Sequence, residues 1–199
     1  MHKQQSPGPY DLAVSADYIR LHAVWLAGPR HVPDGKWTGS VEMSDDPLGR
    51  PEVTQAVTRG VARWLRQRGL SPIIEVPLAD GRRADIVAVS DGAEIIIVEV
   101  KSSLEDFRVD TKWGDYLAWC DRFYFATPAT FPLELLPAET GVILADAFGA
   151  ELLRDDSRIP EATRLSAARR KALLVRLTRL AGERLQRLAD PAFTALDGA

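Results

Sequence analysis

The sequence predicts a mixed α/β domain in which a sheet of parallel and antiparallel strands is flanked by helices. Three observations support this fold class. An amphipathic helix pattern starts at Val53. Three strand-like segments follow it, and both of their connectors end in Asp-Gly, which is a strong hairpin signal. A further helix pattern and several short apolar strands come next, and such an order of elements is typical of an α/β layout.

The first helix is predicted from apolar residues at helical spacing, and Gly69 is a suitable residue to end it. These apolar residues are Val53, Val57, Val61, Trp64 and Leu65. The three segments after it are predicted to form an antiparallel meander. Their expected bounds are Pro72–Leu78, Arg82–Val89 and Glu94–Lys101.

The second half of the domain is predicted to begin with a helix that starts at Ser102 and runs towards Cys120. Fourth, fifth and short sixth strands are expected at Arg122–Ala126, Gly141–Ala145 and Glu151–Arg154, with a turn or one-turn helix between Pro132 and Pro137. A long amphipathic helix, Ser166–Leu188, is rich in arginine.

The 199 residues divide into three parts by pattern. Residues 1–50 are a poorly patterned extension, in which Asp11–Leu26 is a candidate short helix and the glycine- and proline-rich stretch after it is expected to be loop or disordered. Met43 in this extension is a candidate start of translation. Residues 51–188 form the patterned domain, and residues 189–199 are a tail. His2, His22 and His31 all lie in the extension, where scattered histidines carry no recognisable chemistry.

Composition excludes several functions. With Cys120 as its one cysteine, the chain has no disulfide framework and no cysteine zinc site. No histidine lies in the patterned domain, so a Ser-His-Asp arrangement cannot form there. The glycine-rich nucleotide-binding motifs, an apolar membrane span and a signal peptide are absent, so a cytoplasmic location is expected. The net charge is −3, so binding to nucleic acid would need a local basic patch.

The candidate site is predicted from strand parity. If each hairpin loop has three residues with glycine in the left-handed position, Asp85 lies opposite Ile97 and shares a face with Glu99 and Lys101. The same rule on the first hairpin places Glu75 opposite Asp85. A two-residue turn would instead point Asp85 away from Glu99. Both faces of the strands are otherwise apolar, so these charged groups need partners.

A shared Mg²⁺ or Mn²⁺ ion would satisfy this arrangement, because Mg²⁺ prefers oxygen ligands and is usually held by one or two carboxylates together with substrate phosphates. Asp85, Glu99 and the carbonyl of Val100 are the expected ligands, with Glu75 as a further candidate. Lys101 would position the attacking water for hydrolysis of a phosphodiester. The alternative is a half-buried salt bridge between Lys101 and one of the carboxylates.

Several segments carry a resemblance to known families. Arg83-Ala84-Asp85 followed by Glu99-Val100-Lys101 resembles the PD-(D/E)XK nuclease superfamily, with alanine in place of the motif's proline. The longer pattern is similar to the MmcB-like family of bacterial DNA-repair proteins, a branch of that superfamily, over about residues 50 to 185. It consists of Val98–Ser103, Asp106–Arg108, Asp110, Lys112–Trp113, Tyr116, Cys120–Ala126, and Pro132–Pro137 followed by Gly141. The resemblance implies a restriction-endonuclease-like three-layer core and a role in DNA repair.

Basic side chains outside the motif are candidates for contact with DNA phosphate. Arg108 and Lys112 follow the motif, and Arg176, Arg179 and Arg187 lie on the final helix. Solvated surface faces would show the same pattern. Three interpretations therefore remain open. The first is a metal-dependent DNA nuclease in repair, the second a DNA-binding or scaffold protein of the same fold with little or no cleavage, and the third an adaptor whose arginines bind a protein.

Overall fold

The computed structural model describes residues 50–109, 113–157 and 165–190. By its internal contacts the chain separates into Met1–Pro47 and Leu48–Ala199, and the description concerns the second unit. The expectations for residues 1–49, including the histidines and Met43, lie outside the described residues. The same holds for Lys112 and for the tail beyond Asp190.

The described residues form three α-helices, two 3₁₀ helices and six strands. In chain order they are α1 (Arg50–Gln67), β1 (Ser71–Pro77), β2 (Arg83–Val89), β3 (Ile95–Val100), α2 (Leu104–Val109), a 3₁₀ helix (Trp113–Trp119), β4 (Arg122–Thr127), a one-turn 3₁₀ helix (Leu133–Leu135), β5 (Gly141–Ala145), β6 (Ala150–Arg154) and α3 (Ala167–Ala189). All six predicted strands are confirmed, with bounds that differ from the predicted ones by at most one residue.

The strands form one mixed sheet in the order β1-β2-β3-β4-β5-β6. β1, β2 and β3 are antiparallel neighbours, so the predicted meander is confirmed. β3, β4 and β5 run parallel, and β6 returns antiparallel to β5. As a consequence, the ends of β1, β3, β4 and β5 and the start of β2 all lie at the same end of the sheet.

Both faces of the sheet are covered, as the apolar strands predicted. One face packs against α1 through a cluster that includes Val57, Val61, Ile86 and Val98. The other face carries Phe123 and Phe125 of β4 and is covered by α3 and the longer 3₁₀ helix. In the described part of the chain, no helix combines the length and apolar character needed to cross a membrane.

The predicted continuous helix towards Cys120 is wrong, since a 3₁₀ helix follows α2. Three residues per turn bring Trp113, Tyr116 and Trp119 onto one side of this helix, where they meet the aromatic face of the sheet. Tyr116 stacks on Phe123 with ring centroids 6.3 Å apart. Trp113, Tyr116, Leu117 and Cys120 therefore pack in the core on this face of the sheet.

The hairpin between β1 and β2 has the predicted register. The N–H of Leu78 donates to the carbonyl of Arg82 at 2.7 Å, and Gly81 holds the left-handed position with φ +86°. The hairpin between β2 and β3 is shifted. Here the N–H of Ser90 donates to the carbonyl of Glu94, and Ala93 has the left-handed φ of +61°.

The hairpin between β5 and β6 is held against α1 by a glycine. A Cβ at Gly60 would lie 2.1 Å from the carbonyl oxygen of Asp146 and 2.4 Å from that of Gly149. Arg63, one turn further along α1, donates to the carbonyl of Ala147 at 2.9 Å. Glycine at position 60 is therefore what allows helix and hairpin to touch through their backbones.

Candidate active site

The predicted site residues Asp85, Glu99 and Lys101 meet at the end of the sheet where β2 begins and β3 ends. Regular pairing of the two strands stops at Ile86 and Val98. Continued by one residue, this register places Asp85 directly opposite Glu99, not opposite Ile97 as predicted. The error is two residues along β3, and the predicted sharing of one face by Asp85 and Glu99 survives because the side-chain period of a strand is also two.

Each carboxylate bonds to the backbone of the neighbouring strand. The N–H of Asp85 donates to Oε1 of Glu99 at 3.2 Å, and the N–H of Val100 donates to Oδ2 of Asp85 at 2.8 Å. The two side chains thus satisfy backbone donors just beyond the last regular strand pair. Their positions are set by main chain and not by flexible neighbours.

Burial makes it energetically costly for the side chains of this cluster to carry charge. Glu99 is 3% exposed and Lys101 is 5% exposed, although both carry ionisable groups. The backbone N–H of Lys101 donates to the carbonyl of Ala126 at 2.9 Å, which extends the contact with β4 past the end of β3. Charged groups are rarely buried this deeply unless they are paired, so the lysine and the carboxylates depend on one another.

Burial also raises the pKa of the Asp85 carboxyl above its ordinary value. The hydrogen bond from Val100 and the positive charge of Lys101 oppose this rise in pKa, and the negative charge of Asp106 on α2 adds to it. A cation bound at Asp85 would reverse the balance, because it would favour the ionised carboxylate.

Glu75 does not join the cluster, which corrects the prediction that three carboxylates gather on one patch. Its backbone has a left-handed φ of +48°, and its side chain is 60% exposed, with an ion pair to Arg83 at 3.8 Å. Ile73 and Val76 pack in the same apolar cluster although they are three residues apart, which a regular strand does not allow. The left-handed Glu75 absorbs that irregularity and turns outwards.

The predicted phosphate contacts on the helices have different surroundings. Arg108 is exposed in the last turn of α2. Arg176 donates to the carbonyl of Pro77 at 3.1 Å, and Arg187 forms an ion pair with Glu183 one turn before it. Among the described residues, Arg179 has no hydrogen bond or ion pair, and together with Arg176 it lines a groove of about 410 Å³.

Thr127 is a site residue that the sequence did not single out. Its hydroxyl is fully buried and has no hydrogen-bond partner within the described residues. The parallel register of β3 and β4, continued past Val100 and Ala126, places Thr127 beside Lys101. No sequence signal predicts this contact, because it depends on parallel pairing between strands separated by two helical segments.

The residues present fit a divalent cation of the Mg²⁺ class. Among the described residues, no three side chains of histidine, cysteine, aspartate or glutamate converge on one point. Mg²⁺ usually takes only one or two carboxylates from a protein and completes its shell with water and phosphate oxygens. Asp85, Glu99 and the carbonyl of Val100 form such a set, and the buried, unpaired hydroxyl of Thr127 lies on the same side of the sheet.

Fold and site together define a class: a mixed α/β protein with two opposed carboxylates and a buried lysine at one end of its sheet. The sequence matches the family described as "DNA repair protein MmcB-like" over residues 43–192. The chain belongs to this MmcB-like DNA-repair family.

A solved structure shares this fold. It is described as "SPO1766 protein of unknown function from Silicibacter pomeroyi", and it is 40% identical in sequence with a TM-score of 0.69. The match covers 76% of this chain and 99% of that one. The comparison with curated proteins found no match.

Proposed function

We propose that this MmcB-like protein is a metal-dependent DNA phosphodiesterase with a PD-(D/E)XK-type active site. The observation that carries the proposal is the buried set of Asp85, Glu99 and Lys101, held at the sheet end by backbone hydrogen bonds. The DNA-repair family supplies the substrate class. The resemblance of Arg83-Ala84-Asp85 and Glu99-Val100-Lys101 to the nuclease motif supports the reaction type.

In this proposal Asp85, Glu99 and the Val100 carbonyl hold Mg²⁺ or Mn²⁺. When bound, the ion supplies a Lewis acid that polarises the phosphodiester and lowers the pKa of a bound water. Lys101 directly follows Val100 in the chain and positions the nucleophilic water. Its positive charge offsets the negative charge that develops on the phosphate. The hydrogen bonds from the Asp85 and Val100 N–H groups keep both carboxylates in place before substrate arrives.

The arginines support binding to the DNA backbone. Arg176 and Arg179 line their groove next to Pro77, the last residue of β1. This residue lies at the same end of the sheet as the carboxylates. A phosphate backbone in the groove would continue along that end towards Asp85. Arg108 on α2 and Lys112 are further candidate phosphate contacts, and Arg187 becomes one once it leaves Glu183.

The second candidate function is DNA binding in repair without cleavage. A specific observation favours it: each carboxylate already accepts a backbone N–H, and a buried lysine lies beside them. The cluster could therefore serve as a structural ion pair that needs no metal.

The deciding experiment incubates the full-length protein with end-labelled single-stranded, duplex, flapped and branched DNA in Mg²⁺, Mn²⁺ or EDTA. We expect cleavage of at least one substrate with metal, none in EDTA, and none with Glu99→Gln. Asp91→Asn, in the hairpin at the opposite end of β2, is the matched control and should cleave like wild type. DNA binding with no cleavage of any substrate would favour the second candidate.

A further inference from the structure

An exposed phenylalanine occupies the tip of the hairpin between β5 and β6. Phe148 is 78% exposed, whereas most large apolar side chains of this unit are buried. Its backbone is well held, because the N–H groups of Phe148 and Gly149 both donate to Oδ1 of Asp146, at 2.7 and 2.9 Å. Gly60 and Arg63 of α1 fix the same turn from behind. The ring is thus presented to solvent by a rigid support.

The position of this turn links it to the candidate active site. β5 runs parallel to β3, so the residues after Ala145 lie at the same sheet end as Lys101. β3 and β5 are two strand positions apart, which corresponds to about 10 Å. That span is the length of about three stacked nucleotides.

The surroundings of the turn are suited to a polyanion. Arg59, Arg63 and Arg66 recur along one exposed stripe of α1, and the first two flank Gly60, where helix and hairpin touch. Within the described residues none of the three forms an ion pair. The nearby Asp146 carboxylate is occupied by the N–H groups of its own turn.

We propose that Phe148 is a stacking platform for an unpaired base of the DNA, with Arg59 and Arg63 holding the adjacent phosphates. The inference rests on the DNA binding contained in the proposed function and is independent of cleavage. An aromatic ring beside basic side chains is how proteins bind single strands without reading sequence. In an intact duplex the faces of the bases are covered by their neighbours, so the platform selects DNA with single-stranded or unstacked segments.

The test measures binding of the full-length protein in EDTA, which prevents cleavage, by fluorescence anisotropy with a single-stranded oligonucleotide and its blunt duplex. Phe148→Ala should weaken single-strand binding by roughly 5- to 100-fold and duplex binding much less. Phe148→Tyr should bind the single strand about as tightly as wild type. Phe148→Leu should bind it as weakly as Phe148→Ala, because leucine is apolar but cannot stack on a base. Leu188→Ala is the control, since Leu188 is equally exposed, at 82%, on α3 at the other edge of the sheet.

A second readout locates the contact directly. A single strand that carries 5-iodouracil should crosslink to the peptide containing Phe148 on irradiation, and Phe148→Leu should abolish that crosslink. Single-strand affinity of Phe148→Ala within twofold of wild type would overturn the platform, even if cleavage assays support the nuclease. Loss of affinity on Phe148→Ala in a protein that never cleaves would establish the platform while refuting the proposed catalysis.

Discussion

The backbone N–H of Asp85 donates a hydrogen bond to the side chain of Glu99 across 3.2 Å, so these two residues bridge β2 and β3 where regular pairing has stopped. The bridge connects the site to the fold of the meander. A one-residue change in hairpin register would turn the two carboxylates to opposite faces of the sheet. Loss of either side chain would leave a backbone N–H without its present acceptor.

We expect Asp85→Asn, Glu99→Gln and Lys101→Ala each to lower the cleavage rate by about two orders of magnitude or more, the scale for loss of one preorganised electrostatic group. The double and triple variants should lose little more, because residues acting as one unit are not additive. Single-turnover assays in Mn²⁺ give the rates, and calorimetric titration of Mn²⁺ with DNA present gives metal binding. Additive losses would show that the three residues act separately.

The stability of the metal-free protein should depend on pH through Asp85. Burial raises the pKa of this carboxyl above its ordinary value of 3.8, so the folded protein retains a proton that the unfolded chain has released. The free energy of unfolding therefore falls as pH rises from about 4 through the folded pKa.

Asp85→Asn removes this titration, so the variant should be more stable than wild type at pH 7 in EDTA. Its advantage should shrink as pH falls through the folded pKa, and it should stop changing below about pH 4, where the carboxyl becomes protonated in the unfolded chain as well. Urea denaturation at several pH values measures the difference, with Asp91→Asn as the control. A variant that is less stable than wild type at pH 7 would mean that the ionised carboxylate stabilises the fold.

The effect of replacing each arginine of α3 should depend on whether its side chain already has a partner within the protein. Arg179→Gln should flatten the salt dependence of DNA binding by about one slope unit and leave thermal stability unchanged, because the side chain has no partner among the described residues. Arg176→Gln should do the same and also cost about 1 kcal/mol of stability, through its lost bond to Pro77.

For Arg187 the informative comparison is with its ion-pair partner. Arg187→Gln should weaken binding to all DNA sequences about equally, and Glu183→Gln should strengthen it by releasing the guanidinium. Salt titrations by fluorescence anisotropy measure both. Unchanged affinities and slopes in all four variants would assign this helix to packing or to a protein partner.

Two helical glycines offer a matched test of the hairpin contact. Gly60→Ala should destabilise the protein by about 1–3 kcal/mol or more, the cost of overpacking, because the new Cβ meets two backbone carbonyls that cannot rotate away. Gly182→Ala on α3 has nothing within 4 Å and should stabilise by about 1 kcal/mol through helix propensity. Equal melting temperatures for Gly60→Ala and wild type would contradict the close contact.

Local pattern predicted the strands and the shared face of Asp85 and Glu99, but it could not predict the hairpin register. The loop rule placed Gly92 in the left-handed position. The chain places Ala93 there, because the side chain of Ser90 accepts the N–H of Glu94 at 3.0 Å and its carbonyl accepts that of Ala93 at 2.9 Å. A serine that organises its own turn outweighed the usual preference for glycine.

Other features depend on tertiary contacts and leave no local trace. Glu75 has a left-handed backbone within a strand because Ile73 before it and Val76 after it pack in the same apolar cluster. The burial of Thr127 beside Lys101 requires the parallel pairing of β3 with β4. The arginines of the last helix were identified as basic and largely exposed, but their acceptors on β1 could not be inferred, because sequence does not show which strand is at the edge.

Those acceptors have a consequence for how copies of the protein behave towards one another. β1 is an edge strand, and an edge strand normally offers unpaired carbonyls to any other strand that approaches. Arg176 bonds to the carbonyl of Pro77, and Arg184 bonds to those of Ile74 and Glu75, so α3 occupies much of this edge. The helix therefore makes it harder for a strand of another molecule to pair with β1, which is a common route to aggregation. If Arg176 turned from this edge to a DNA phosphate, it would uncover the carbonyl of Pro77. Nucleic-acid binding by α3 and protection of the β1 edge therefore compete for this one side chain.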